Sequence, residues 1–219
     1  MDALIPVAVV LASYLLGSLS FAVIVSRLMG LNDPRSYGSK NPGATNVLRS
    51  GNKAAALLTL AFDVLKGYLP VMAALLWQER LGLGPFAIAL VGLSAFLGHL
   101  WPVYFRFQGG KGVATAAGVL LALNPVLGAA TLASWLLIAV FFRYSSLASL
   151  VAAAFAPFFQ LLIWGVKPAL LCIVPMSLLL VWRHAANIRK LLNGTETRIG
   201  QKSAGQAPSR SAAKNGRKG

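Results

Sequence analysis

The chain has 219 residues, of which 57% are hydrophobic and 11% charged, with a mean hydropathy of +0.70. A soluble domain of this length carries about a quarter charged residues, so the composition excludes an ordinary soluble fold and fits a polytopic membrane protein with clustered charge. Lys and Arg outnumber Asp and Glu by 20 to 5, an excess that cytoplasmic loop bias and anion binding explain in a membrane protein; no nucleic-acid partner is expected.

The first apolar stretch runs from about Leu4 to Met29. Met1-Asp2-Ala3 offers no positive n-region, so this stretch reads as a transmembrane helix and not as a cleaved signal. After a polar loop, Leu31–Lys53, come apolar stretches at about Ala54–Trp77 and Pro85–Phe105. The fourth, Val113–Phe142, is long for one span, and Asn124-Pro125 falls inside it. Proline removes a donor and disfavours helix at its predecessor, so a break is expected there. Leu147–Trp164 and the short Ala169–Trp182 complete the set. Cys172 lies in the last stretch and is the single cysteine, which leaves no disulfide framework and no thiolate metal site.

With that break there are seven helices and two sets of connections. Leu31–Lys53, Arg106–Gly112, Arg143–Ser146 and everything after Arg183 carry most of the Lys and Arg. The N-terminus, Gln78–Gly84, Asn124-Pro125 and Gly165–Pro168 hold only Arg80 and Lys167. The positive-inside rule then puts the N-terminus outside and the C-terminus in the cytoplasm. The expected fold is an all-α, polytopic integral membrane protein of seven transmembrane helices. The two halves of the fourth stretch are expected to be unusually short, one of them tilted or re-entrant. Residues 1–196 are expected to form the transmembrane domain, and 197–219 a disordered basic cytoplasmic tail that leans on anionic membrane lipids.

Three connections of the basic set carry chemistry. The first contains Ser39, Lys40, Asn41, Thr45, Asn46 and Arg49, all able to point donors at an anion, with Gly38 and Gly43 able to open the backbone into an anion nest. Attraction to lipid headgroups would account for the cations but not for the Ser, Thr, Asn and Gly among them. The second contains Gly109-Gly110-Lys111-Gly112 ahead of a helix, which suits a phosphate: exposed amides, a helix N-terminus and one full charge. It is not a Walker A loop, because Phe105 stands where the first glycine belongs and Gly112 where Ser or Thr must bind magnesium.

The third connection, running out of the last helix, puts His184 and Asn187 on one face at helical spacing, with Asn193-Gly194 as the helix stop. As a lone histidine at a helix end, His184 equally suits a cap or a headgroup contact. Deeper in the bilayer, Asp63 and Lys66 are three apart on a helix and can pair. Two readings stay open for them: a structural ion pair, or a carboxylate that orients a cation at a site. Ser145 and Ser146 are placed to cap the helix that follows them.

These segments resemble a known family. GSKNPGATNVLR (38–49), GHLWPVYFRFQGGKGVAT (98–115) and HAANIRKLLNGTE (184–196) are similar to the three signature motifs of the bacterial acyl-phosphate:glycerol-3-phosphate acyltransferases. GSLSFAVIVSR (17–27) and FDVLKG (62–67) are similar to its flanking stretches, although Ser20 and Ala22 stand where the family has Pro and Gly. The resemblance implies transfer of a fatty acyl group from acyl phosphate to the 1-hydroxyl of sn-glycerol 3-phosphate, with no metal and no cofactor. It assigns phosphate binding to Ser39, Lys40, Asn41, Gly43, Thr45, Arg49 and Lys111. Lys111 and the amides of Gly109, Gly110 and Gly112 would stabilise the leaving phosphate. His184 and Asn187 would hold or activate the glycerol hydroxyl beside Ser145 or Ser146. The enzyme that makes acyl phosphate is the implied partner.

One negative observation agrees. The His-x-x-x-x-Asp motif of thioester-using acyltransferases is missing, since Tyr104 follows His99 and Arg189 follows His184 at that spacing. The rival expectation is a transporter or flippase for a phosphorylated solute. Against it, the polar groups gather at one face, whereas transporter sites lie near the midplane.

Overall fold

The structure, a computed structural model, describes residues 4–201, and every described element is helical. In chain order these are α1 (Leu4–Gly17), α2 (Phe21–Leu28), α3 (Ala44–Leu48), α4 (Lys53–Leu76), α5 (Gln78–Leu81), α6 (Pro85–Leu100), α7 (Val113–Leu123), α8 (Pro125–Phe142), α9 (Ser145–Phe159), α10 (Leu170–Arg183) and α11 (Ala185–Leu192). A 3₁₀ turn spans Val103–Phe105, and a π-helical turn, Gln160–Trp164, extends α9. Four helical stretches are long and apolar enough to cross a membrane, and up to six if each bent pair counts as one span.

The break at Asn124-Pro125 is where the proline places it. The Asn124 side chain accepts from the amides of Val126 (3.0 Å) and Leu127 (3.2 Å), and Pro125 opens α8 without needing a donor. The halves are unequal: α7 is short, but α8 has 18 residues. The first apolar stretch differs from expectation, because α1 and α2 meet at 44° across the short link after Gly17. Ser18 returns its hydroxyl to the Tyr14 carbonyl (2.8 Å), a back-bond that competes with the helix ladder. Polar seams fasten α1 to α6: Ser13 Oγ donates to the Val91 carbonyl (2.8 Å) and Tyr14 OH to that of Trp101 (2.7 Å). In hydrocarbon such bonds replace the hydrophobic drive between helices.

Helices α4 and α7 approach backbone to backbone. A Cβ on Gly67 would strike the Thr115 carbonyl, and one on Gly118 that of Val64, so glycine alone permits this crossing. Phe96, Leu100, Val119 and Ile173 fill the interior completely, while Phe141 and Leu162 stand outward, an apolar surface suited to lipid. The expected tail is divided: 197–201 lie against the start of α9, where the Ile199 amide donates to the Arg143 carbonyl (2.6 Å), and 202–219 lie outside the described residues.

Candidate active site

Chain reversals gather Gly38–Asn52, Trp101–Gly112, Arg143-Tyr144 and the residues after Arg183 at one end of the helical body. Direct contacts prove the grouping. Thr45 Oγ1 lies 3.3 Å from Ser145 Oγ, Arg183 reaches the glycine loop, and Lys111 reaches Asn187.

The first loop is organised around Asn46, which is buried. Its Oδ1 accepts from the Ser39 amide (3.0 Å) and faces Arg49 Nη1 (3.5 Å), and its amide donates to the Pro34 (2.6 Å) and Tyr37 (3.2 Å) carbonyls. Asn46 therefore holds the loop together, a role different from the anion donor expected of it. Lys40 is exposed and adopts φ +56°. Gly43 precedes the one-turn helix α3, and Asn41 packs beside it.

The glycine loop lies flat on the end of α6. Gly110 donates its amide to the His99 carbonyl (3.1 Å). Arg183 donates from Nε to the Gly110 carbonyl (3.1 Å) and from Nη2 to that of Gly109 (2.8 Å). This corrects the expectation of a free amide cradle: the Gly110 amide is already spent, and two carbonyls face a guanidinium. The glycines are required by this close approach, since a Cβ on Gly109 would meet backbone carbonyls and one on Gly110 the His99 ring. Gly112, at φ +82°, turns the chain into α7.

Lys111 emerges from that loop at one end of a relay. Its Nζ donates to Asn187 Oδ1. Asn187 Nδ2 donates to Glu196 Oε1 (2.7 Å), and the same oxygen accepts from Ser146 Oγ (2.6 Å). Burial pushes the Lys111 ammonium down to about 8; Glu196 opposes this, while Arg49, Lys190 and Arg183 add repulsion. His184 sits buried at the junction of α10 and α11 with Nδ1 2.8 Å from the Leu180 carbonyl. A carbonyl only accepts, so Nδ1 carries the proton, and Nε2 of a neutral ring is left with its lone pair.

Of the residues expected at the site, Lys111, Asn187 and, through Glu196, Ser146 are joined by contacts, Thr45 and Ser145 pair with each other, and Arg49 lies within the field of Lys111. Ser39 and Lys40 stand exposed at the rim. Ser145 and Ser146 do not cap α9: Tyr144 occupies that position and makes no side-chain cap bond, and Ser146 instead serves the Glu196 carboxylate. Glu196, Arg183 and His99 were absent from the expected set. Glu196 had a signal, an acid inside a basic motif; Arg183 and His99 act through tertiary contacts that no local pattern announces.

The fold and site define a helical membrane protein with its basic side chains concentrated at one face. Residues 7–194 match the family model described as glycerol-3-phosphate acyltransferase. The glycerol-3-phosphate acyltransferase of Paraburkholderia phytofirmans is 60% identical over 204 residues, covering 93% of this chain and 95% of that protein. That of Ralstonia nicotianae is 64% identical over 191 residues, covering 87% and 92%. Two crystal structures of PlsY, an integral membrane glycerol 3-phosphate acyltransferase, are similar. Its glycerol 3-phosphate form has a TM-score of 0.83 at 38% identity, covering 89% of this chain and 96% of that one. Its lysophosphatidic acid form has a TM-score of 0.81 at 37% identity, covering 89% and 95%.

The chain belongs to the glycerol-3-phosphate acyltransferase family, and it is an integral membrane enzyme that transfers acyl groups.

Proposed function

We propose that the enzyme acylates the 1-hydroxyl of sn-glycerol 3-phosphate with acyl phosphate as donor. The products are 1-acylglycerol 3-phosphate (lysophosphatidic acid) and inorganic phosphate, the first step of phospholipid synthesis. The observation that carries this reading is the convergence of Lys111, Arg49, Arg183 and Lys190 on one small region, where two phosphates must be held.

The hydroxyl oxygen attacks the acyl carbonyl carbon, the bond from that carbon to the phosphate oxygen breaks, and phosphate leaves. Lys111 and Arg49 neutralise the departing charge. Thr45, Ser145 and Ser146, with Ser39, Lys40, Asn41 and Gly43 at the rim, receive the phosphates. Gly109, Gly110 and Gly112 shape the loop that presents Lys111. Asn187 fixes the ammonium, and His184 Nε2 holds the hydroxyl. The hydroxyl proton passes to His184 or to a phosphate oxygen of the donor. With His184 as base, His184→Asn abolishes turnover; with the phosphate as base, it leaves a measurable fraction.

The bent pair α1–α2, α4, α6, α7, α8, α9 with its π turn, and α10 form seven spans in this reading, with the N-terminus outside. The acyltransferase domain is 1–196, followed by the basic extension 197–219. The site then faces the cytoplasm at the bacterial inner membrane, where the enzyme that makes acyl phosphate can deliver it. The contacts among the basic connections support a single face, which a transporter with a midplane site would not need.

The donor is tested by giving purified enzyme glycerol 3-phosphate with either palmitoyl phosphate or palmitoyl-CoA. Lysophosphatidic acid is expected from the phosphate alone; equal product from the thioester would contradict the reading.

A further inference from the structure

The site described above leaves a buried polar cluster unused. Asp63 and Lys66 on α4 are paired at 2.9 Å with side chains 3% and 1% exposed. Lys66 Nζ also donates to the Leu19 carbonyl (2.7 Å), in the break between α1 and α2. His99, at the end of α6 and also buried, turns Nδ1 toward Thr115 Oγ1 (3.2 Å) on α7 and toward Asp63 Oδ1 (3.7 Å).

An ion pair inside a membrane body is costly and calls for a reason. Fastening helices is not a sufficient one here. Helices α4 and α7 already cross through Gly67 and Gly118, and α1 already meets α6 through Ser13 and Tyr14. What the cluster does hold is His99, and His99 is the floor of the glycine loop. Its carbonyl accepts the Gly110 amide, and its Nε2 edge lies where a Gly110 Cβ would be, with the Pro42 carbonyl of the first loop also close to that position. Arg183 grips the same glycines by their carbonyls. The next residue is Lys111.

We propose that His99 is a positioning residue for Lys111: anchored by Asp63 and Thr115, it sets the height of the glycine loop, and through it the place of the ammonium against substrate phosphate. The Asp63–Lys66 pair fixes the direction of the His99 ring, and Lys66 ties that setting to the bend of the first helix pair. This rests on Lys111 acting on a substrate phosphate, as proposed above.

The test compares His99→Ala, His99→Asn and Thr115→Val, each in the wild-type and in the Lys111→Arg background. Steady-state turnover with palmitoyl phosphate and glycerol 3-phosphate is read together with thermal unfolding of the purified protein. In the wild-type background His99→Ala is expected to lower kcat/KM about tenfold, the scale of a small misplacement of a catalytic group, with the unfolding midpoint held. His99→Asn, whose amide can return a polar atom near the Nδ1 position, is expected to recover part of that loss. In the Lys111→Arg background the same change is expected to cost less than about threefold, because residues that act through one group are non-additive.

An equal cost in both backgrounds, or a loss that tracks the unfolded fraction, would overturn the proposal. Thr115→Val removes one hydroxyl and keeps the shape, so it decides the matter if His99→Ala does not fold. It is expected to reduce turnover several-fold beside Lys111 and little beside Arg, and wild-type turnover would overturn the proposal. Wild-type turnover of Lys111→Arg by itself would instead remove the reading of Lys111.

Discussion

Lys111 donates its ammonium to Asn187 Oδ1, and in doing so joins the glycine loop before α7 to the helix that follows α10. The two residues are 76 apart in the chain. Their meeting brings the second and third polar connections into one site, with the Glu196 carboxylate behind them.

The charge on Lys111 has a pH signature. Burial and the neighbouring cations hold its pKa at about 8, below the unfolded lysine value of about 10.4. The protonated form is therefore lost as pH rises through about 8, and kcat/KM for glycerol 3-phosphate should fall over that range. Stability moves the other way. Between about 8 and about 10 the unfolded chain binds more protons, so this residue favours folding increasingly as pH rises. Lys111→Arg should cost at least about tenfold in activity, since a planar fork does not replace a point charge, and should remove the alkaline fall. Rates from pH 6.5 to 10 in both proteins, on the scale of these pKa values, check this.

Glu196→Ala should weaken turnover and move the same alkaline limb to lower pH. The carboxylate is the neighbour that raises the Lys111 pKa, and its removal also leaves Asn187 Nδ2 and Ser146 Oγ without their shared acceptor. A limb that stays in place would separate Glu196 from Lys111.

Gly110→Ala puts a methyl into the His99 ring and near the Pro42 carbonyl, neither of which is free to yield. The loop must lift, and displacement of Lys111 by about 1 Å should cost up to about a hundredfold in kcat/KM. Secondary structure by circular dichroism should be unchanged.

Asp63→Asn leaves Lys66 buried without its carboxylate, which should destabilise the fold by about 3–5 kcal/mol. Replacing both residues, as Asp63→Leu with Lys66→Met, should recover much of that loss, because no single charge remains in the interior. Unfolding midpoints of the single and double variants in one detergent provide the comparison.

Much of the fold was legible because its parts are local motifs. Proline at 125 announced the break before α8, and Gly194, at φ +68°, ends α11 beside Asn193 where a stop was expected. The pairing of Asp63 with Lys66 followed from helical spacing. The bend after Gly17 was hidden, because no proline marks it and Ser18-Leu19-Ser20 interrupts the apolar run too briefly to read as a loop. The glycine loop was misread in one respect: the sequence shows which residues can offer amides, but not that the His99 carbonyl takes one. Ser146 looked like a cap because caps are the usual work of serine at that position; a carboxylate 50 residues away claims it instead.

The most direct measurement is phosphate release by the purified enzyme from palmitoyl phosphate, with and without glycerol 3-phosphate, beside Arg49→Ala and Lys111→Ala. Release should depend on glycerol 3-phosphate, match lysophosphatidic acid formed one for one, and disappear in both variants while they remain folded. Full release in Lys111→Ala, or release indifferent to glycerol 3-phosphate, would contradict an acyl transfer centred on that ammonium.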